Sequence, residues 1–510
     1  MTRTSSVAPE CERPPAAQLL TSERLYRPPP TPSMRRCQAW QSEAEPAGVP
    51  PLSSEWRQRL SALAAHWLQP FVHRGISRGA LAQRVPEAPP AVEVFNGVAE
   101  GRSCMLVLVR GGRVLVEMPQ YARTFGQSVY GCNVTDEKGR LTTVLRLLLL
   151  TLAPPSGSSS AAALPDFEFR LCGDDFCHGL WEQRAAPFFT MVSCGASRTI
   201  PAVQWNTLEE RDPDLSVWAR TLTQRRQHRE QQERRWSCRQ SLAVWRGSLN
   251  DMYTYNLYWS ANRTLGRRKI DASNWREAGR AALAFQRCNA SQHLVDVRFK
   301  LLRSRLHFQE AKECVRAAST DKPNRMSMPE QISRFKYMAH VEGNGGWADR
   351  LRHAILSGSL VIKQDMGVQE WYEPLLEPWK HYIPVSSTLH NLSQAVRWAQ
   401  QHDERALKMT RDAAVVLENV LSESALLHYQ SELFRMYASL WKGGGSSQEP
   451  PARGFARAEF KCALVFNVTA DRPGYTSSGY TARDCFFVDE VSGYQASSLD
   501  KIAAKQAQLH

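Results

Sequence analysis

Within residues 335–385, FKYMAHVEGNGGWADRLRHAILSGSLVIKQDMGVQEWYEPLLEPWKHYIPV, a glycine cluster, a basic helical stretch, a short apolar strand and an acidic-aromatic segment follow one another. That order suits a pocket for a nucleotide sugar. Gly343, Gly345 and Gly346 let backbone amides approach a diphosphate, and the helix that follows presents its positive end together with Arg350. Glu370 offers a carboxylate to the hydroxyls of a ribose or a sugar. Moving a sugar onto a hydroxyl also needs a base to take the acceptor proton and positive groups to hold the leaving diphosphate. Asp175 and its neighbour Asp174 are the candidate bases, since both follow a strand-like run at 167–171; capping of a turn is the alternative role for either.

The elements that must position these groups can be read from spacing. Apolar residues recur at helical intervals over 56–68, and Ser77, after Gly75-Ile76, is a candidate cap for a further helix. Residues 104–118 alternate around Gly111-Gly112 as a hairpin does. The leucine-rich run 140–152 reads as a buried helix, being too short to span a bilayer and interrupted by Arg146. Strand-like runs at 167–171, 188–192 and 241–245, alternating with helical segments, imply a parallel sheet with functional residues at the strand carboxyl ends.

Proline, serine and alanine dominate residues 1–52, which read as a disordered leader. The glycine triplet within 442–453 marks a linker, and 454–510 forms an extension with no assigned role. The 510 residues carry a net charge of +14, with 43% hydrophobic and 22% charged residues, which is ordinary globular composition with room for two domains. The charge suits an anionic partner: nucleic acid, an acidic membrane surface or a phosphorylated donor. Much of it lies in 220–239, which lacks glycine and proline and reads as a solvated helix. With no recognisable nucleic-acid module beside it, no nucleic-acid partner is expected.

Twelve cysteines permit disulfides without requiring them, and no zinc-type spacing appears among them. Asn133, Asn262, Asn289, Asn391 and Asn467 each open an N-x-S/T sequon, against roughly two expected by chance. That excess favours a glycosylated, lumenal chain. The first twenty residues hold no apolar run fit for a signal peptide, so the lumenal reading expects the true start to lie upstream, and membrane association is expected only if such a segment is missing.

Leu376-Glu377-Pro378-Trp379-Lys380-His381-Tyr382-Ile383-Pro384-Val385 resembles the signature of the protein O-glucosyltransferase family, the Rumi and capsule-associated-protein type. The resemblance covers about residues 65–435. It implies two Rossmann-like lobes of the GT-B type: 53–235 on the acceptor side with the catalytic base, and 236–441 binding the UDP-sugar. Asp175 stands where the family has its catalytic aspartate, and catalysis without a metal or other cofactor is implied. Trp245-Arg246-Gly247-Ser248 is similar to the donor segment whose serine contacts the nucleotide sugar, although the sequence then departs from the family's Arg-Thr-Ser continuation. Arg280 is the candidate to supply the missing arginine. Gly343, Gly345, Gly346 and Arg350 match the phosphate-facing turn, and Glu370 falls in register with the acidic-aromatic segment. His353 and His381 are expected to be hydrogen-bonded structural histidines. The implied reaction is inverting transfer of glucose or xylose from UDP-glucose or UDP-xylose to a protein or glycan hydroxyl, in the endoplasmic reticulum or Golgi lumen. The alternative is a catalytically inactive relative that binds sugars or proteins.

Overall fold

The computed structural model describes residues 52–77, 80–81, 165–172, 187–194, 199–203, 215–248, 272–277, 279–288, 293–300, 326–341 and 350–442. It also describes strands at 104–110, 113–119, 122–124, 127–129, 257–259, 265–267, 319–320, 460–467 and 485–488, with residues 151, 310, 313–314 and 348. The expected leader up to residue 51, the 140–152 helix but for Thr151, the linker beyond Lys442, Asp174, Asp175 and the glycines at 343, 345 and 346 lie outside the described residues, while Leu52, expected in the leader, is buried in the core.

The first helix, α1 (Ser54–Leu68), starts where Ser53 accepts a hydrogen bond from the Trp56 amide, and buries Leu60, Leu63 and Trp67. Ser77 likewise accepts from the Ala80 amide, as expected of a cap. Strands β1 (Cys104–Arg110) and β2 (Arg113–Pro119) form the expected hairpin. Antiparallel to β1 runs β3 (Phe167–Cys172), buried along its whole length. β4 (Phe188–Thr190) is parallel to β3, β5 (Val192–Cys194) leaves the sheet, and β6 (Ile200–Pro201) runs parallel to β4. The first sheet is therefore mixed, which corrects the expectation of a Rossmann-like parallel sheet. A two-residue connection between β1 and β2 permits only antiparallel pairing.

A long helix, α2 (Leu215–Arg234), precedes the second sheet. That sheet is built from β7 (Gln240–Gly247), β8 (Val295–Lys300), β9 (Ser319–Thr320), β10 (Phe335–His340), β11 (Leu360–Gln364) and, after β12 (Val368–Glu370), β13 (Ile383–Val385). Its spatial order is β9-β8-β7-β10-β11-β13 and its strand pairs are parallel. Counted within the sheet this is 3-2-1-4-5-6, the doubly wound order. The strand order reverses between β7 and β10, the point at whose carboxyl ends such sheets bind ligands. Helices α3 (Gly279–Cys288), α4 (Met328–Arg334) and α5 (Arg350–Leu356) lie in the crossovers. Gly358 ends the last of these at φ +77°, a left-handed turn that glycine adopts without a Cβ penalty, and the chain enters β11.

Three further helices complete the second half: α6 (Leu392–Gln401), α7 (Asp403–Val420) and α8 (Glu423–Leu440). The last returns to the first sheet. Its Phe434 and Tyr437 join Phe167, Phe169 and Phe189 in an aromatic cluster, and the Tyr437 hydroxyl donates to the Glu168 carbonyl. One hydrophobic core thus runs from α1 and β3 to Met338, Leu351 and Trp371; a second fills the other face of the parallel sheet around Trp245, Leu283 and Phe299. β12 pairs with β5, placing Glu370 opposite Val192 and tying the two halves together. Beyond the linker, β14 (Phe460–Asn467) pairs antiparallel with β2, and β15 (Cys485–Val488) pairs with β14. Two strands of the extension that had no assigned role thereby widen the first sheet to seven.

The basic stretch 220–239 is helical through Arg234 and largely accessible, as expected, but one side of it is buried. Trp218 is buried and donates to the Leu421 carbonyl, while Arg229 is clasped by Glu233 (2.5 Å) and Glu418 (2.8 Å). Arg239, 4% exposed, donates to the carbonyls of Phe335 and Gly358 and to Ser359 Oγ. Burial pulls its pKa down to about 9, which still leaves it charged at neutral pH. One side of this stretch is an internal brace, because long apolar stems carry the guanidinium heads to carbonyls and carboxylates inside.

Candidate functional site

Ser248 follows β7 directly, at the carboxyl end where the doubly wound order opens its crevice. Two arginines from different crossovers converge there. Arg280, in the first turn of α3, donates from Nη1 to the Ser248 carbonyl at 2.9 Å. Arg350, at the start of α5, donates from Nη2 to the Arg246 carbonyl at 2.5 Å. Both guanidinium groups lie over the Trp245 ring, 5.3 and 5.2 Å from its centroid. The indole is fully buried, and its electron-rich face attracts both cations. The two carbonyls and the shared ring bring both guanidinium groups to the carboxyl end of β7.

Gly247 makes this packing possible. A Cβ there would lie 2.7 Å from the Trp245 ring. Arg246 supports the strand end from its other side, with Nη2 2.6 Å from Asp296 Oδ2 on β8. Sequence reasoning named Ser248, Arg280 and Arg350, and these three come together. It missed Trp245 as the platform and His340 as a neighbour. His340 ends β10 and is opposite Lys363 of β11 in the strand register. It is 2% exposed, and its pKa lies well below the usual histidine value through burial and the charges of Lys363, Arg350 and Arg280. Its place as the last strand residue before a glycine cluster was the available signal.

Glu370 occupies a different setting from the open acceptor expected. It is 1% exposed; Arg352 Nη1 lies 3.5 Å from one carboxylate oxygen, and the Tyr372 hydroxyl donates to the other at 3.1 Å. Glu373 accepts the Glu370 amide at 2.9 Å and pairs with Lys363 at 3.1 Å. Burial works to lower the Lys363 pKa, but Glu373, Tyr382 and Asp365 outweigh it and hold the ammonium raised. A ribose hydroxyl reaches Glu370 only by displacing Arg352 or Tyr372.

The 376–385 string is structural around its histidine. The His381 ring accepts the Glu377 amide at 2.8 Å, the Trp379 amide donates to the Tyr382 carbonyl, and burial lowers the His381 pKa. His381 is thus the hydrogen-bonded histidine that was expected, and the loop it closes delivers the chain into β13. Among the described residues no group of three or more His, Cys, Asp or Glu side chains is placed to hold a metal ion.

The model of the Glycosyl transferase family 90 matches residues 159–450, well over half of the chain. The chain belongs to glycosyl transferase family 90. Human protein O-glucosyltransferase 3 is 34% identical to this family 90 chain over 105 residues, 21% of the chain and 20% of that protein. Protein O-glucosyltransferase 2 of Danio rerio is 34% identical over 107 residues, 21% of each. Uncharacterized protein 035R of Invertebrate iridescent virus 3 is 30% identical over 125 residues, 24% of the chain and 11% of that protein. The aligned part spans about a fifth of the two glucosyltransferases.

Proposed function

We propose that this family 90 chain is an inverting glycosyltransferase that moves glucose or xylose from a UDP-sugar to a hydroxyl of a protein or glycan. The observation that carries the reading is the convergence of Arg280 and Arg350 on Trp245 beside Ser248, at the reversal point of a doubly wound sheet. In this reading the diphosphate lies against the two guanidinium groups, the glycine cluster at 343, 345 and 346 supplies amides, and Ser248 contacts the nucleotide sugar. Glu370 accepts a donor hydroxyl in exchange for Tyr372. Asp175 takes the proton from the acceptor hydroxyl as its oxygen attacks the anomeric carbon from the face opposite UDP. The bond from that carbon to the diphosphate oxygen breaks, and the arginines stabilise the charge that develops on UDP. No step is assigned to a metal.

The likeness to protein O-glucosyltransferases supports glucose and a protein acceptor first. A GT-B arrangement of two lobes is part of the proposal, with the β5–β12 pairing as the seam between them. The secretory lumen is the proposed compartment. Cys288 and Cys314 form a disulfide and Cys172 and Cys238 are disulfide-bonded, which fits an oxidising environment. Among the described residues no helix is long and apolar enough to cross a membrane.

A screen of UDP-sugars for hydrolysis by the purified chain, with and without chelator, tests the reading. Turnover of UDP-glucose or UDP-xylose that survives the chelator, and falls about two to four orders of magnitude in Asp175→Asn, is expected. Full activity in that variant removes Asp175 as base. Binding without turnover moves the chain to the sugar-binding alternative.

A further inference from the structure

His340 differs from two buried cations, Lys363 and Arg239. Its neighbour in the register, Lys363, is paired with Glu373 at 3.1 Å. Arg239, buried as deeply, has three acceptors. His340 is 2% exposed, yet its Nδ1 has no hydrogen-bond partner among the described residues. An unpaired buried polar atom is costly, and one in a folded protein calls for an explanation. This one sits at the carboxyl end of the strand bordering the crevice, with Arg350 of α5, Arg280 of α3 and Lys363 of β11 as the charges acting on it. Burial first, and then those three cations, disfavour a positive charge on the imidazole, so it is neutral in the empty protein.

Resting on the UDP-sugar reading above, we propose that His340 is a positioning residue for the donor diphosphate and takes up a proton from solvent when that anion binds. Diphosphate placed against Arg280 and Arg350 reverses the sign of the local field. Protonation then becomes favourable, and the Nδ1–H donates to a phosphate oxygen. One proton enters from solvent for each donor bound, and it returns to solvent when UDP leaves. The sign of the pH dependence follows. Since the bound state holds the extra proton, donor affinity strengthens as pH falls through the bound-state titration and weakens as it rises. A histidine kept only for packing takes up no proton on binding.

The test is calorimetric titration of the full chain with UDP-glucose, at several pH values and in two buffers of different ionisation heat. UDP-glucose is the suitable probe because both of its phosphates are esterified, so the ligand does not titrate near neutrality. Wild-type protein is expected to take up a large fraction of a proton and to lose about tenfold in affinity between pH 6 and pH 8. His340→Asn and His340→Gln are expected to bind more weakly at pH 6, with no proton uptake and a flat pH profile. Wild-type binding without proton uptake, or uptake unchanged in whichever variant folds, overturns the proposal. Absence of any UDP-glucose binding by the wild type at every pH removes the donor reading itself, an outcome distinct from binding that ignores pH.

Discussion

Two groups of arginines lie on either side of the parallel sheet's first strand, and their surroundings assign them different work. Before β7, Arg229 is clasped by two carboxylates and Arg239 by three neutral acceptors, and both groups are held inside the protein. After it, Arg280 and Arg350 are oriented by the carbonyls of Ser248 and Arg246 and share the face of Trp245. The net charge of +14 treats all four alike. Placement relative to the strand's carboxyl end separates them: the first pair lies before the strand, and the second pair lies at its carboxyl end, where such sheets bind ligands.

The strongest way to break this contrast is to exchange the outcomes of mutation. Arg350→Ala is expected to lower kcat/KM for sugar transfer by about 10²–10³, the range seen on removing one preorganised charge stabiliser, with little change in the urea midpoint. An unchanged kcat/KM there, or a loss wholly explained by unfolding, erases the distinction. Arg239→Met is expected to act the other way, costing about 1–3 kcal/mol for each buried carbonyl left without its donor while the folded fraction keeps its kcat. Urea unfolding combined with active-site titration measures both quantities.

Glu370→Ala sharpens the same contrast at the seam. Loss of the carboxylate removes the group 3.5 Å from Arg352, which is 2% exposed, and a destabilisation of about 3–5 kcal/mol is expected by chemical unfolding. Gly247→Ala has a smaller expected effect, about 1–3 kcal/mol, because the new methyl group displaces the Trp245 ring. As that ring carries both guanidinium groups, KM for the donor should rise with it; a rise in neither would show that the indole is not a platform.

Smallest is the pH effect on the ligand-free chain. Burial comes first, followed by neighbouring cations, in holding the histidines at 228 and 340 below 6.5; burial and Lys380 do the same for His381. The unfolded chain therefore binds protons first as pH drops, so stability is complete above about 6.5 and is lost progressively below it. The urea midpoint should fall between pH 7 and pH 5.5, and His340→Asn should remove part of that fall. A midpoint independent of pH in this window contradicts the assignment of neutral imidazoles.

Local pattern made much of this molecule legible. Helical spacing marked α1, alternation around Gly111-Gly112 marked the β1–β2 hairpin, and the apolar run ending at Trp245 marked the strand on which the site stands. Ser248, Arg280 and Arg350, named from the sequence as donor-binding candidates, lie together at the end of that strand, each at an element end defined by its own neighbours. What stayed hidden depends on chain segments far apart in sequence. Nothing in 460–467 says that it pairs with β2, and nothing in α8 says that Phe434 and Tyr437 return to pack on β3. The buried side of the basic stretch was missed because composition records charge and not partners: Glu418, which clasps Arg229, lies 189 residues away. Glu370 was matched to donor binding by register alone, whereas its setting depends on Arg352 and Tyr372 folding around it.

The central claim is that the two guanidinium groups over Trp245 form the seat of a nucleotide diphosphate. Its most direct test is the equilibrium binding of UDP-glucose to wild-type protein and to the double variant Arg280→Ala, Arg350→Ala, each shown to be folded by circular dichroism. The account predicts saturable binding by the wild type and a loss of at least about a hundredfold in the variant, as expected for removing two charge-assisted contacts. Equal affinity in the two proteins would contradict it.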